Sequence, residues 1–152
     1  MELVTMLHDS SDEILAAAAD AVERTHLKNY ERAGKAQTHQ RLKALLVLTT
    51  RAVKERNLGP MLAYTETIGR ERFAAGYDLA EVQTAFNVLE EAIWTRILKV
   101  FPPAEYGEAL GLVATVLGAG KDSLARTYVT LASKSKAGSL NLQSLFSGTE
   151  GV

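Results

Sequence analysis

Between residues 76 and 101 the apolar positions fall at Leu79, Val82, Phe86, Leu89 and Ile93, in steps of three and four. Such steps place their side chains on one face of a helix with 3.6 residues per turn, so a buried stripe is predicted here. Asp78 precedes the stripe as N-cap, with Glu81 three residues on as its capping-box partner. The helix is expected to run to Phe101, because Pro102-Pro103 follows and a residue before proline avoids the helical region. A second stripe, Trp94, Leu98 and Phe101, runs beside the first. A helix with two apolar stripes is either central in a bundle or lies at a subunit interface.

The same periodicity fills the rest of the chain, and no stretch alternates apolar and polar as a half-buried strand does. Residues 2 to 8 suit a short turn of helix. Ser10 and Glu13 form a second capping-box pair, before the alanine-rich ILAAAADAVERTHL. Gly34 breaks the pattern within 29 to 37. The next helix carries Leu42, Leu45, Leu46, Thr49, Ala52 and Val53 on one face and ends at Asn57 to Gly59. Pro60 suits the first turn of another, which buries Met61, Tyr64, Ile68 and Phe73 and stops at Gly76. A last helix from about Ala104 to Ser135 shows Tyr106, Leu110, Val113, Leu117, Leu124, Tyr128 and Leu131 at near-heptad spacing. Five main helices in one antiparallel all-α bundle are predicted, with the helix after Asp78 at the centre.

Glycine complicates the last helix, which holds Gly107, Gly111, Gly118 and Gly120. Each costs about 0.5–1 kcal/mol against alanine in a helix interior, so they call for a reason. Close approach of another helix is the first reason, and a kink near Gly118 to Gly120 the second. A phosphate-binding glycine loop would need a preceding strand and a Gly-Lys-Ser/Thr, and has neither. The tail 136–152 shifts to serine, glycine and asparagine but keeps Leu140, Leu142, Leu145 and Phe146. It reads as an arm beyond a domain of residues 1–135, docked or in part disordered.

Composition removes several kinds of chemistry. The chain has no cysteine, which excludes disulfides, thiolate metal sites and thiol nucleophiles. No apolar run reaches the roughly 20 residues that cross a bilayer, and the amino end lacks a signal-peptide pattern. A cytoplasmic, non-membrane protein is the expectation. Net charge is −1, yet the charges are segregated. Residues 2–24 hold six acids and one base, residues 28–56 eight bases and two acids, and residues 60–91 six acids and two bases. Antiparallel neighbours that complement one another explain this. A nucleic-acid patch on Lys43, Arg51 and Lys54 is the weaker alternative.

Reactive constellations are few. Glu23 and His26 have the Glu-x-x-His spacing of a di-iron bundle, but such a site needs two of these motifs and two further glutamates. His26 and His39 lie near helix ends in polar company, unlike a haem ligand. No Gly-x-Ser-x-Gly occurs. Glu90 and Glu91 are expected to pair with bases such as Arg70, Arg72 or Arg96 rather than to do acid–base work. No catalytic residue, metal or cofactor is predicted. An apolar pocket lined by Tyr64, Phe73, Phe86 and Tyr128 is the alternative that would make the bundle a ligand sensor; Trp94 is a further candidate liner.

Residues 69 to 94 (GRERFAAGYDLAEVQTAFNVLEEAIW) resemble the helical N-terminal domain of the RsbT co-antagonist protein RsbRD. The matching positions are Gly76, Tyr77, Leu79, Glu81, Val82, Ala85, Phe86, Leu89 and Trp94. The resemblance extends over about residues 10 to 135 and is closest over 58 to 101. It implies an all-α module of bacterial stress-response or two-component signalling, placed before a STAS domain or a kinase core. Neither fits before Val152, so a stand-alone sensor or adaptor, or the input part of something larger, is expected. The family supplies no catalytic residues. Function is therefore expected to lie in binding. A homodimer would form through Trp94, Leu98 and Phe101 or through Gly107, Gly111 and Gly118, with a STAS-domain protein or kinase as a further partner.

Overall fold

Helix breakers cut the chain close to where its sequence places them. The computed structural model describes residues 2–150, and side chains through Ser135. Among the described residues there are seven α-helices, one 3₁₀ turn and no strand. They are α1 (Leu3–Asp9), α2 (Ser11–Thr25), α3 (Lys28–Ala33), α4 (Lys35–Glu55), α5 (Gly59–Ala74), α6 (Leu79–Val100), a 3₁₀ turn (Pro103–Glu105) and α7 (Tyr106–Glu150). The two beyond the expected five are short. α1 is the predicted turn before Ser10, and α3 occupies part of the segment read as a break.

α2, α6, α7 and α5 pack in that succession, and α4 touches every other α-helix. The central place expected of α6 is thus shared with α4 and α7. The expected stripe of α4 is buried throughout, from Leu42 to Val53, and Thr38 joins it. Thr49 is fully buried because its hydroxyl donates to the Leu45 carbonyl at 2.8 Å. Thr65 does the same toward Met61 at 3.1 Å. A threonine whose hydroxyl is spent on its own helix can sit in an apolar core without the cost of an unpaired donor.

Two expectations about local structure are corrected by packing. The capping box at Asp78 and Glu81 is present, but the one at Ser10 and Glu13 is not. Ser10 has φ −99° and ψ 11°, near-helical rather than extended, because it is the single residue joining α1 to α2. Its hydroxyl instead accepts from Arg96 Nε at 3.1 Å, and Glu13 pairs with Arg96 Nη1 at 3.0 Å. Both residues of the supposed cap hold α2 to α6.

The second correction concerns glycine. A Cβ on Gly107, Gly111 or Gly118 would meet nothing within 4 Å, so no helix of this bundle lies against them. The close contacts are elsewhere. A Cβ on Gly120 would come within 2.9 Å of the Phe86 ring and 3.2 Å of Met61 Sδ. On Gly69, which the sequence did not single out, it would reach Thr127 at 3.0 Å and so separate α5 from α7. No break interrupts α7 near Gly118, and its backbone runs on to Glu150, beyond the Ser135 end expected for it. How the arm 136–152 packs lies outside the described side chains.

Candidate functional site

The end of α5 is the place where polar chemistry enters the core. Gly76 takes φ +84°, the left-handed region that only glycine adopts without strain. Its N–H donates to the Phe73 carbonyl at 3.2 Å, and the next N–H, of Tyr77, donates to Arg72 at 2.9 Å. This pair of bonds is a Schellman motif, which closes the last carbonyls of a helix and sets one side chain back on the final turn. Here the returning residue is Tyr77, and the Arg72 guanidinium lies 5.7 Å from its ring centroid. A cation over an aromatic face takes the place of the usual apolar contact. Gly76→Ala keeps its space, since nothing lies within 4 Å, but it must hold the left-handed backbone. A loss of about 1–2 kcal/mol in urea unfolding is expected, smaller for Gly76→Asn.

Tyr77 then gathers three other elements. Its hydroxyl accepts from Arg41 Nη1 of α4 at 2.9 Å and donates toward the Asn29 carbonyl of α3 at 3.4 Å. The Arg41 guanidinium is also 5.5 Å from the ring centroid. The Tyr77 carbonyl accepts the Tyr128 hydroxyl of α7 at 2.9 Å. Tyr30 meets the Tyr77 ring edge-on at 6.3 Å, and Phe73 meets Tyr128 likewise at 5.4 Å. Burial raises the Tyr30 phenol against the opposing pull of Arg41 and Arg72. It raises Tyr64 in the same way and pushes Tyr128 up to about 12. These phenols stay protonated near neutrality, and the Tyr128 hydroxyl serves as a hydrogen-bond donor.

Beside this cluster, Glu81 joins α6 to α3. One carboxylate oxygen accepts the Asp78 N–H at 3.1 Å and the Asn29 side-chain amide at 2.7 Å. The other accepts the Asn29 N–H at 3.4 Å. Burial pushes the Glu81 carboxyl up, but the Asp78 and Asn29 donors and the Lys28 charge pull harder, and it lies below its ordinary value. A carboxylate that accepts several N–H bonds is stabilised in its charged form.

A second surface lies along α6 and α7. Trp94 and Leu98 are 40% and 41% exposed, while Phe101 is buried. Phe101 leaves the stripe because α6 ends at Val100 and its own backbone is extended, which turns it into the core. Lys121 Nζ donates to Asn87 Oδ1 at 3.1 Å and faces Glu90 at 3.7 Å, and the Tyr106 hydroxyl donates to the Leu98 carbonyl at 3.0 Å. These bonds set the two helices antiparallel; Trp94 and Leu98 stand exposed on α6, and glycines 107, 111 and 118 of α7 meet no side chain of the bundle. Glu90 does pair with a base on a neighbouring helix, but with Lys121; Arg70 and Arg72 bond to Glu66 and Glu71 of their own helix, and Arg96 to Glu13.

Residues 8–132 match the family described as RsbT co-antagonist protein rsbRD N-terminal domain. The chain belongs to that family. It is thereby a stress-response signalling module, with all-α architecture, as its sequence led one to expect. No curated protein matches the chain, and no solved structure does. In this RsbRD N-terminal domain the motif residues do two things. Leu79, Val82, Phe86 and Leu89 pack toward the core, whereas Gly76, Tyr77 and Glu81 build the polar node. Trp94 stands at the surface.

The node takes in Arg41, Asn29 and Arg72, which sequence reading did not assign to any site. They lie on three helices, and no spacing along the chain relates them. Of the proposed pocket residues, Tyr64, Phe73 and Tyr128 surround the node, while Phe86 is 1% exposed and packed deep against the Gly120 backbone. His26 pairs with Glu31 at 3.0 Å and Glu23 with Lys35 at 3.2 Å, so the Glu-x-x-His spacing does not converge on one point. Among the described residues no group of three His, Asp or Glu is placed to hold a metal. No helix among them is long and apolar enough to cross a membrane. On α4, Lys43, Arg51 and Lys54 are exposed, and Arg51 is spent on Glu55 at 3.1 Å.

Proposed function

We propose that this RsbRD N-terminal domain is a non-enzymatic cytoplasmic module that signals by protein–protein contact, and that it self-associates through the α6–α7 face. The reading is supported above all by Trp94 and Leu98 on α6, both about two-fifths exposed, and by three glycines of the adjoining α7 that face open space. Glycine in a helix interior lowers stability by about 0.5–1 kcal/mol unless a close neighbour uses the room. Large aromatic anchors beside a flat backbone surface are what a helix-to-helix interface needs. A STAS-domain protein or a kinase is the further partner class that the family reading supports.

The substitution Gly111→Ala separates the two roles of this face. Monomer stability should rise by about 0.5–1 kcal/mol, because alanine is the better helix former and its methyl meets nothing. Self-association should weaken, because the methyl holds the partner helix off. Sedimentation velocity over a concentration series reads the second effect and thermal unfolding the first. A native chain that stays monomeric throughout the series would sink the dimer.

A further inference from the structure

Four described bases are half-buried rather than exposed: Arg41, Arg72, Arg96 and Lys121. Arg96 and Lys121 each face a carboxylate on a neighbouring helix, Glu13 and Glu90. Arg41 and Arg72 do not. Arg41 has no carboxylate within ion-pair distance among the described residues, and its one hydrogen bond goes to the Tyr77 hydroxyl. The Arg72 side chain is only 14% exposed, and its sole carboxylate contact is 3.4 Å to Glu71, its chain neighbour, which is 62% exposed. The other acids near them are committed, Asp78 to its helix cap and Glu81 to Asn29 and the Asp78 N–H.

Two half-buried guanidiniums thus face no carboxylate from a neighbouring helix among the described residues. Both lie within 6 Å of one ring centroid, that of Tyr77, and both act on the phenols of Tyr30 and Tyr64. Each guanidinium has five N–H donors in a planar fork. No buried side-chain nitrogen or oxygen lacks a partner among the described residues, so the N–H groups that remain unbonded still reach solvent. Those N–H groups are bonded to no carboxylate of another helix among the described residues.

We infer that Arg41 and Arg72, held on the ring of Tyr77, bind a small doubly charged oxyanion, a phosphate or a dicarboxylate. Arginine forks match the oxygen spacing of either group, and charge-assisted bonds in a half-buried site are about twice as strong as neutral ones. A bound dianion would tie α4 to the end of α5, and through Tyr77 to α3 and α7. The site lies at the start of α6 and is separate from the face proposed for self-association, so either can stand without the other.

Arginine side-chain Nε–H resonances, followed by NMR during titration, test this directly. The probes are inorganic phosphate at pH 8, malonate, and sodium chloride at matched ionic strength. Saturable shifts of Arg41 and Arg72 with phosphate, malonate or both, and none with chloride, are expected. The probe that binds identifies the source of the anion. Arg41→Gln should weaken the response about tenfold, and Arg41→Lys, which keeps the charge but not the fork, should fall between. These variants are expected to keep the helical circular dichroism of the native chain, which is checked first. Shifts that never saturate, that chloride reproduces, or that Arg41→Gln leaves unchanged would overturn the site.

Discussion

Phe86→Ala lowers the unfolding free energy by about 3–5 kcal/mol, the largest loss expected from any single substitution considered in this chain. The ring is 1% exposed, and its Cε2 lies 2.9 Å from the point where a Cβ on Gly120 would stand. Met61, fully buried, closes on the same point at 3.2 Å. The ring thus fills space that α7 leaves by having glycine there. Removing it opens a cavity between α5, α6 and α7, whose backbones are held by many other contacts and cannot collapse into it. For a chain of this size the loss corresponds to a fall of roughly 6–20 °C in Tm, read by circular dichroism. A second substitution sharpens the test. Gly120→Ala forces its methyl onto the ring in the native chain, but in the Phe86→Ala chain the methyl enters the vacated space. Gly120→Ala should therefore destabilise the native chain and cost much less, or help, in the variant. Equal effects in the two backgrounds would refute this account of the contact.

Glu81→Ala is next, with an expected loss of about 2–3 kcal/mol at neutral pH. The alanine leaves the Asp78 N–H and the Asn29 amide without their acceptor, and hydrogen bonds to a charged group carry about 1.5–3 kcal/mol. The effect depends on pH with a definite sign. The Glu81 carboxyl has a folded pKa below its ordinary value of 4.5. Stability from such a group is present in full above that ordinary value and is lost as pH falls through the lowered one. The gap between native chain and Glu81→Ala should accordingly be constant from pH 7 to about 5 and shrink below that. Glu81→Gln keeps an acceptor of the same shape and should show a smaller loss at pH 7, with little pH dependence of its own. A gap that widens on acidification would contradict the assignment. Since Asn29 begins the short α3, the same loss should appear as faster amide exchange in residues 28–33.

Some of these residues were legible before any tertiary contact was known, and the reason is local. Asp78, Glu81 and Gly76 act within one turn of a helix, so their spacing carries the whole of their first role. The Leu79-to-Ile93 stripe is equally local, because periodicity alone says which face is buried. Ser10 and Glu13 show the limit of that reasoning. Their spacing is that of a cap, but Arg96, 86 residues from Ser10, takes both. The glycines of α7 show it again. All four stand in one helix with the same intrinsic cost, yet Gly120 meets a ring and the other three meet nothing.

By itself the sequence determined an all-α bundle, its main breaks, its buried stripes and its family, because each of these follows from residues near one another in the chain. The tertiary structure decided the rest. It made Tyr77 the meeting point of Arg41, Arg72, Asn29 and Tyr128, turned Phe101 inward, and left Trp94 exposed. Those outcomes depend on how helices cross and which side chains then come within reach, and periodicity along one helix holds no information about the angle of the next.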